Sequence, residues 1–253
     1  MTVPTDDRGL LLGDGLFETL LWEDGQLHDL KVHAARMRDG CAVLGLPAPD
    51  LAALEAAALE AAAGSSGRLA VRLSWTAGSG GRGLDRPGDA PPRLIARAEP
   101  APRPETPAGL ATVGIPRNER SPASRIKSLS YLDQVLARRE ARAMGADEAV
   151  QLNLSGAVAG CAAANLFWIS GDRLFTPTLD CGVLAGVMRA RVVAAAQAMS
   201  VKVVEGAFAL SALAAADAVF ATNCLIGVCP AARLDGLALP ADHPLIVGLA
   251  SAA

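Results

Sequence analysis

Four prolines fall within the eight residues 100–107, and this stretch limits the possible fold more than any other. Each proline fixes its own φ and removes a backbone donor, so the segment can form neither a helix nor an inner strand. An extended linker over 100–108 is expected. It divides the 253-residue chain into a smaller N-terminal α/β domain, 1–99, and a larger C-terminal domain, 109–253. With 51% apolar residues and a formal charge of -3, the chain has enough material to bury a sizeable core. It carries few aromatics and no Lys/Arg block, which argues against nucleic-acid and anionic-membrane partners. A small neutral or anionic ligand suits it better.

Residues 1–9 are polar and lack an apolar h-region, so no secretory signal is visible and a cytoplasmic location is expected. The apolar stretches 51–63 and 192–199 are Ala-rich and interrupted by Glu, Arg or Gln. Both fall short of the roughly 20 residues that a membrane span needs, and they read as buried helices. Cys41, Cys161, Cys181, Cys224 and Cys229 contain no CxxC pair and are expected as reduced core thiols. With only His28, His33 and His243 beside them, no zinc-ligand spacing emerges and no metal is expected.

Alternation and turn signals predict strands over 16–22, 26–30, 68–75, 94–98, 112–115, 148–154, 166–169, 173–175, 201–205 and 219–222. Helices are predicted over 31–44, 51–63, 131–144 and 187–199, with a helical turn within 213–217. Asp24-Gly25 marks a hairpin, and Gly45 and Gly64 close two helices. The mixture is α+β in two lobes, without an internal repeat of fixed period.

Three features carry chemistry. Lys127 lies among apolar and hydroxyl residues beside Arg125, and a partly buried lysine next to another cation is the type that forms a Schiff base. A solvated surface lysine is the ordinary alternative. Gly186 precedes an apolar helix whose first N–H groups could face an anion, or it simply caps that helix. Thr222-Asn223 supplies a hydroxyl and an amide at a strand end, and an Asx or ST turn accounts for the pair equally well.

In order along the chain, these pieces join a longer pattern. Its first half comprises Asp7-Arg8-Gly9, Gly13-Asp14-Gly15-Leu16-Phe17-Glu18-Thr19, His33-Ala34-Ala35-Arg36-Met37 and Lys127-Ser128-Leu129-Ser130-Tyr131-Leu132. Gly145-Ala146-Asp147-Glu148-Ala149, Ala164-Asn165-Leu166-Phe167, Thr176-Pro177, Gly186-Val187-Met188-Arg189 and Thr222-Asn223 follow. The chain resembles the class IV aminotransferase-like, fold type IV, pyridoxal-phosphate enzymes over nearly its whole length. The resemblance implies a two-domain fold of the D-amino acid aminotransferase kind, a homodimer, and pyridoxal 5'-phosphate carried by Lys127. It further implies that Arg36 pairs with the cofactor phosphate, that the backbone N–H groups of Val187 and Met188 and the side chain of Asn223 complete the phosphate cup, and that Phe17 lines the substrate site.

Within the family, Gly78-Ser79-Gly80-Gly81-Arg82-Gly83 and the stretch from Cys161 to Trp168 are most similar to the lyase branch that makes p-aminobenzoate from 4-amino-4-deoxychorismate. Arg82 is then the candidate for a substrate carboxylate. D-amino acid transaminases of the family usually carry tyrosine at Phe17 and an Arg-x-His clamp that this chain lacks after Ser74. Gly160 departs from the family, which has a glutamate there to keep the pyridine nitrogen protonated; without it the electron sink weakens. That favours β-elimination over transamination, because elimination expels its leaving group as the carbanion forms. The alternatives are a transaminase of branched-chain or D-amino acids or other amines, and a cofactor-binding homologue with reduced or lost turnover.

Overall fold

From Arg8 to Pro100 the chain lays down α1 (Arg8–Leu12), β1 (Gly15–Glu23), β2 (Gln26–Leu27), α2 (Leu30–Leu44), α3 (Leu51–Ala62), β3 (Leu69–Thr76) and β4 (Arg93–Pro100) in a computed structural model. The structure describes residues 2–88, 90–104 and 106–253. Position 1 of the expected polar N-terminus and position 105 of the expected linker lie outside them. Among the described residues these strands form an antiparallel sheet in the order β2-β1-β3-β4. Leu16 and Leu20 of β1 and Leu69, Val71 and Leu73 of β3 point to one face. There they bury Met37 and Cys41 of α2 and Leu54 and Ala58 of α3. Period-2 strands thus meet period-3.6 helices along matching apolar stripes.

Pro100 ends β4 opposite Leu69, on an edge strand where a missing N–H costs no ladder bond. Ala101 N–H still donates to Arg68 O at 2.9 Å. β4 therefore ends at Pro100, and the next strand begins at Ala108.

The remainder comprises β5 (Ala108–Thr112), α4 (Pro122–Arg125), α5 (Leu132–Ala143), β6 (Glu148–Leu152), β7 (Val158–Cys161), β8 (Asn165–Ser170), β9 (Arg173–Pro177), α6 (Val187–Ala198), β10 (Lys202–Gly206), α7 (Leu210–Ala214), β11 (Ala218–Asn223), β12 (Gly227–Leu234), β13 (Leu237–Ala238) and α8 (Pro244–Ala252). Its mixed sheet runs β10-β9-β8-β11-β12-β5-β6-β7, with β13 paired to β12. β8 is buried on both faces. Leu166 and Trp168 enter one core with Val150, Val158 and Val219, while Phe167 and Ile169 enter another with Val192 of α6 and Ile246 and Leu249 of α8. A third core packs Ala137 and Ala141 of α5 on Ala111 and Ala149.

Several expectations shift. The strand predicted over 112–115 lies at Ala108–Thr112, paired in parallel with β12 and β6. A strand flanked on both sides need not alternate, so its register could not be read from polarity. β7, β12, α1 and α8 were not anticipated: β7 is four residues long, and β12 carries Pro230 and small residues that score poorly as strand.

The chain separates into two compact units, 1–102 with 126–131, and 103–125 with 132–253. The segment bearing Lys127, which the domain division at 109 assigns to the C-terminal part, belongs to the first unit. The reason is local pairing: Ser128 bridges Leu16, Lys127 O accepts from Phe17 N–H, and Leu129 N–H donates to Gly15 O, both at 2.9 Å.

Candidate active site

In the first unit, that same pairing places Lys127 over an aromatic surface. Its Nζ lies 4.3 Å from the centroid of the Phe17 ring and 5.5 Å from that of Tyr131. The two rings meet edge to face with centroids 5.1 Å apart. Both distances are within reach of a cation–π attraction. The guanidinium carbon of Arg72, from β3, stands 3.6 Å from the Phe17 centroid, so one ring serves two cations. Burial lowers the Arg72 pKa from its ordinary value, opposed by the charge that Tyr131 carries when ionised. Arg72 and Tyr131 were not singled out in the sequence, where only their surroundings in space mark them.

Arg36 and His33 sit three residues apart on α2 and therefore share a face. Both reach Glu18 of β1: Arg36 Nε donates to Oε1 at 2.8 Å and Nη2 to Oε2, and His33 Nδ1 lies 2.7 Å from Oε2. Glu18 and His33 are almost fully buried. Burial alone would push the Glu18 carboxyl up, but the hydrogen bonds from Arg36 and His33 outweigh it and hold the group below its ordinary value. The expected phosphate ligand Arg36 is thus gripped as a fork by a carboxylate, which sets the plane of its guanidinium.

Arg82 is exposed on the loop between β3 and β4. Its loop is tied down by the Asp7-Arg8 and Gly13-Asp14 motifs. Arg8 donates to the carbonyls of Gly83, Leu84 and Asp85 at 3.3, 2.7 and 3.1 Å, and its Nε pairs with Asp14 at 2.9 Å. Arg86 also pairs with Asp14 and donates to Leu44 O at 2.5 Å. Hydrogen bonds from Arg86 first, then from Arg8, hold the Asp14 carboxyl below its ordinary value despite partial burial.

In the second unit, Gly186 is the N-cap of α6, ahead of Val187 and Met188. A Cβ at Gly186 would stand 1.9 Å from Asn165 Oδ1, so only glycine lets the turn approach this closely. Asn165 Nδ2 donates to Leu184 O at 3.0 Å and fastens the same turn. The N–H groups at a helix start lack intrahelical acceptors, which suits an anion. Arg189, in the first turn, donates to Pro177 O at 3.1 Å and pairs with Glu205.

The Asn223 carboxamide is used by its own turn. Oδ1 accepts from the N–H groups of Leu225 and Ile226 at 2.8 and 2.9 Å, and Nδ2 donates to Ala163 O at 3.0 Å. It forms an Asx turn, the ordinary alternative of the sequence reading. Gly160 lies on β7 at φ 140°, opposite Gln151 of β6. Gln151 was overlooked in the sequence, where a lone glutamine in an apolar strand carries no motif.

None of the cysteines forms a disulfide among the described residues, and burial raises the Cys41 thiol to about 11. Among these residues no group of three or more His, Cys, Asp or Glu side chains is placed to hold a metal ion, and no helix is long and apolar enough to cross a membrane.

An aminodeoxychorismate lyase of Vibrio harveyi is 29% identical over 96% of this chain and 91% of its own length. A putative branched-chain-amino-acid aminotransferase of Methanocaldococcus jannaschii is 32% identical over 91% of this chain and 82% of its own. The crystal structure of a putative 4-amino-4-deoxychorismate lyase from Legionella pneumophila superposes with a TM-score of 0.93 at 29% identity, over 98% of this chain and 93% of that one. The family model for amino-transferase class IV, whose members bind pyridoxal phosphate, matches residues 15–234. The chain therefore belongs to the class IV aminotransferase family, with the fold type IV architecture.

Proposed function

We propose that the protein is a pyridoxal-phosphate-dependent 4-amino-4-deoxychorismate lyase, releasing pyruvate and p-aminobenzoate. The observation that carries this is the Lys127 amine, docked through its own backbone onto β1 and set against the Phe17 and Tyr131 rings at the family's motif position. The cofactor supplies an electrophilic carbon for the substrate amine and a ring that spreads the electron pair left by proton removal.

The residues present fit such a group. Lys127 Nζ holds it and then takes the proton from the substrate carbon that bears the amine. For a phosphate, the first unit offers Arg36, held in plane by Glu18, and the second offers the N–H groups of Val187 and Met188 at the start of α6. Asn223 contributes by shaping its turn, since its carboxamide is already engaged. Arg82 binds a substrate carboxylate from a loop that Arg8 and Asp14 hold in place. With no carboxylate at Gly160, an elimination driven by aromatisation is favoured over transamination. Action as a homodimer, in the cytoplasm, on a small-molecule substrate belongs to the same proposal.

Purified protein loaded with pyridoxal phosphate is expected to convert 4-amino-4-deoxychorismate to equal amounts of p-aminobenzoate and pyruvate. Absence of product above a Lys127→Ala control overturns the assignment. The 32% identity to the putative branched-chain aminotransferase favours a second reading, transamination of branched-chain or D-amino acids. It predicts stoichiometric keto acid in a half-reaction with such an amino acid, whereas the lyase gives none. Cofactor uptake without turnover on either substrate class marks a binding homologue.

A further inference from the structure

Gln151 has one polar atom that the fold leaves unanswered. Its side chain, on β6, is 1% exposed. Nε2 donates to Ile115 O at 3.2 Å, which fixes the orientation of the carboxamide. Oε1 is buried and has no hydrogen-bond partner among the described residues. Folded proteins keep few such acceptors, because each bears the desolvation cost of a hydrogen bond that is never made.

The neighbour across the ladder is Gly160. Directly opposed residues of an antiparallel pair project to the same face. The adjacent pair, Val150 and Cys161, enters the core containing Leu110 and Trp168, whereas Ala149 and Ala162, like Ile115, pack with α5. Gln151 alternates with Val150 and so lies on the second face, with Gly160 paired to it just before an irregular step at which Leu152 pairs with Val158. A Cβ at Gly160 would meet only Ala164 O, at 3.6 Å. The place that a side chain would fill beside the Gln151 carboxamide is therefore vacant. Glu148, the carboxylate on the same strand, is already taken by Arg138 through both oxygens.

We infer that Gln151 Oε1 accepts a hydrogen bond from the ring N–H of the cofactor, in the role that the family gives to the glutamate missing at Gly160. This rests on the cofactor reading above and adds to it the residue that the departure at 160 called for. Because Nε2 is committed to Ile115, the unanswered atom is an acceptor, so the partner must be a donor. A neutral amide stabilises that donor by a hydrogen bond and not by opposite charge. The ring is then a weaker electron sink than in relatives with a carboxylate. Loss of a leaving group with aromatisation tolerates this better than reprotonation at the cofactor carbon does.

The test uses the full chain reconstituted with pyridoxal phosphate labelled with 15N in the ring, compared with Gln151→Leu and Gln151→Glu. Replacing Gln151 by Leu is expected to weaken cofactor binding about tenfold, the scale of one buried hydrogen bond, and to move the ring 15N resonance toward unprotonated pyridine. Replacing it by Glu should move the resonance the other way. Without cofactor, Gln151→Leu should change the melting temperature little, since the lost Nε2–Ile115 O bond is offset by removal of an unpaired acceptor; a purely structural role for Gln151 would lower the melting temperature and leave the resonance unmoved. Equal affinity and an unmoved resonance in Gln151→Leu overturn the inference while the cofactor reading stands. Should Gln151→Leu fail to fold, an unchanged resonance in Gln151→Glu overturns it. A parent chain that takes up no cofactor overturns both.

Discussion

Glu18 shows how one residue can make a neighbour usable. Its carboxylate lies under a helix, answered by Arg36 and His33, and it sets the guanidinium plane on which phosphate recognition is proposed to depend. Replacement by Gln leaves a buried cation without its counter-charge, so Glu18→Gln is expected to cost about 3 kcal/mol in urea unfolding and to weaken cofactor uptake. The pH dependence follows from the sign of the shift. The folded carboxyl titrates below its unfolded value of 4.5, so its stabilisation is complete above that pH and is lost as pH falls through the lower, folded value. Acid melting of the parent and of Glu18→Gln should converge in that range. Gly160 predicts the opposite of an easy repair. At φ 140° any side chain is strained, so Gly160→Glu, although it restores the family residue, should lower stability by roughly 1–3 kcal/mol, read from thermal melts. Lys127, Arg36 and Gly186 were legible as motif positions, whereas Gln151, Arg72 and Tyr131 were not. Their significance lies in what stands across a ladder or a ring from them, and that spacing is absent from the linear order.

At the scale of elements, the strands and helices with regular alternation were legible to within a few residues. α2 is an example, since Lys31, Arg38 and Asp39 are exposed while Met37 and Cys41 are buried. β5 and β12 were misplaced or missed because strands flanked by others, rich in Ala and Gly, carry no such contrast, and β7 because it is four residues long and buried throughout. The loop after β3 was visible as glycines around Arg82, but its anchor was not. Two separate motifs, Asp7-Arg8 and Gly13-Asp14, converge there on Gly83, Leu84, Asp85 and Arg86. Asp14→Asn removes the charge shared by Arg8 and Arg86. It is expected to speed amide exchange across 78–88 and to raise KM for 4-amino-4-deoxychorismate about tenfold, on the scale of a lost charged hydrogen bond, with kcat nearly unchanged. If Asp14 acts through Arg82, adding Arg82→Ala to Asp14→Asn should change KM little further.

At the scale of the molecule, the compact units do not follow chain order. Residues 126–131 return to the first unit, where Ile126 joins the core under β1 and β3. Such a return leaves no compositional trace, because it is made of backbone pairing to Gly15, Leu16 and Phe17. A fragment ending at residue 102 therefore lacks part of its own unit. It is expected to expose the amide of Phe17 to rapid hydrogen exchange, while the full chain protects it. The same return governs timing during synthesis. The first hundred residues leave the ribosome with this edge uncovered and without the amine at 127, so the imine proposed for this site cannot form until the stretch that completes the sheet edge arrives with that nitrogen on it.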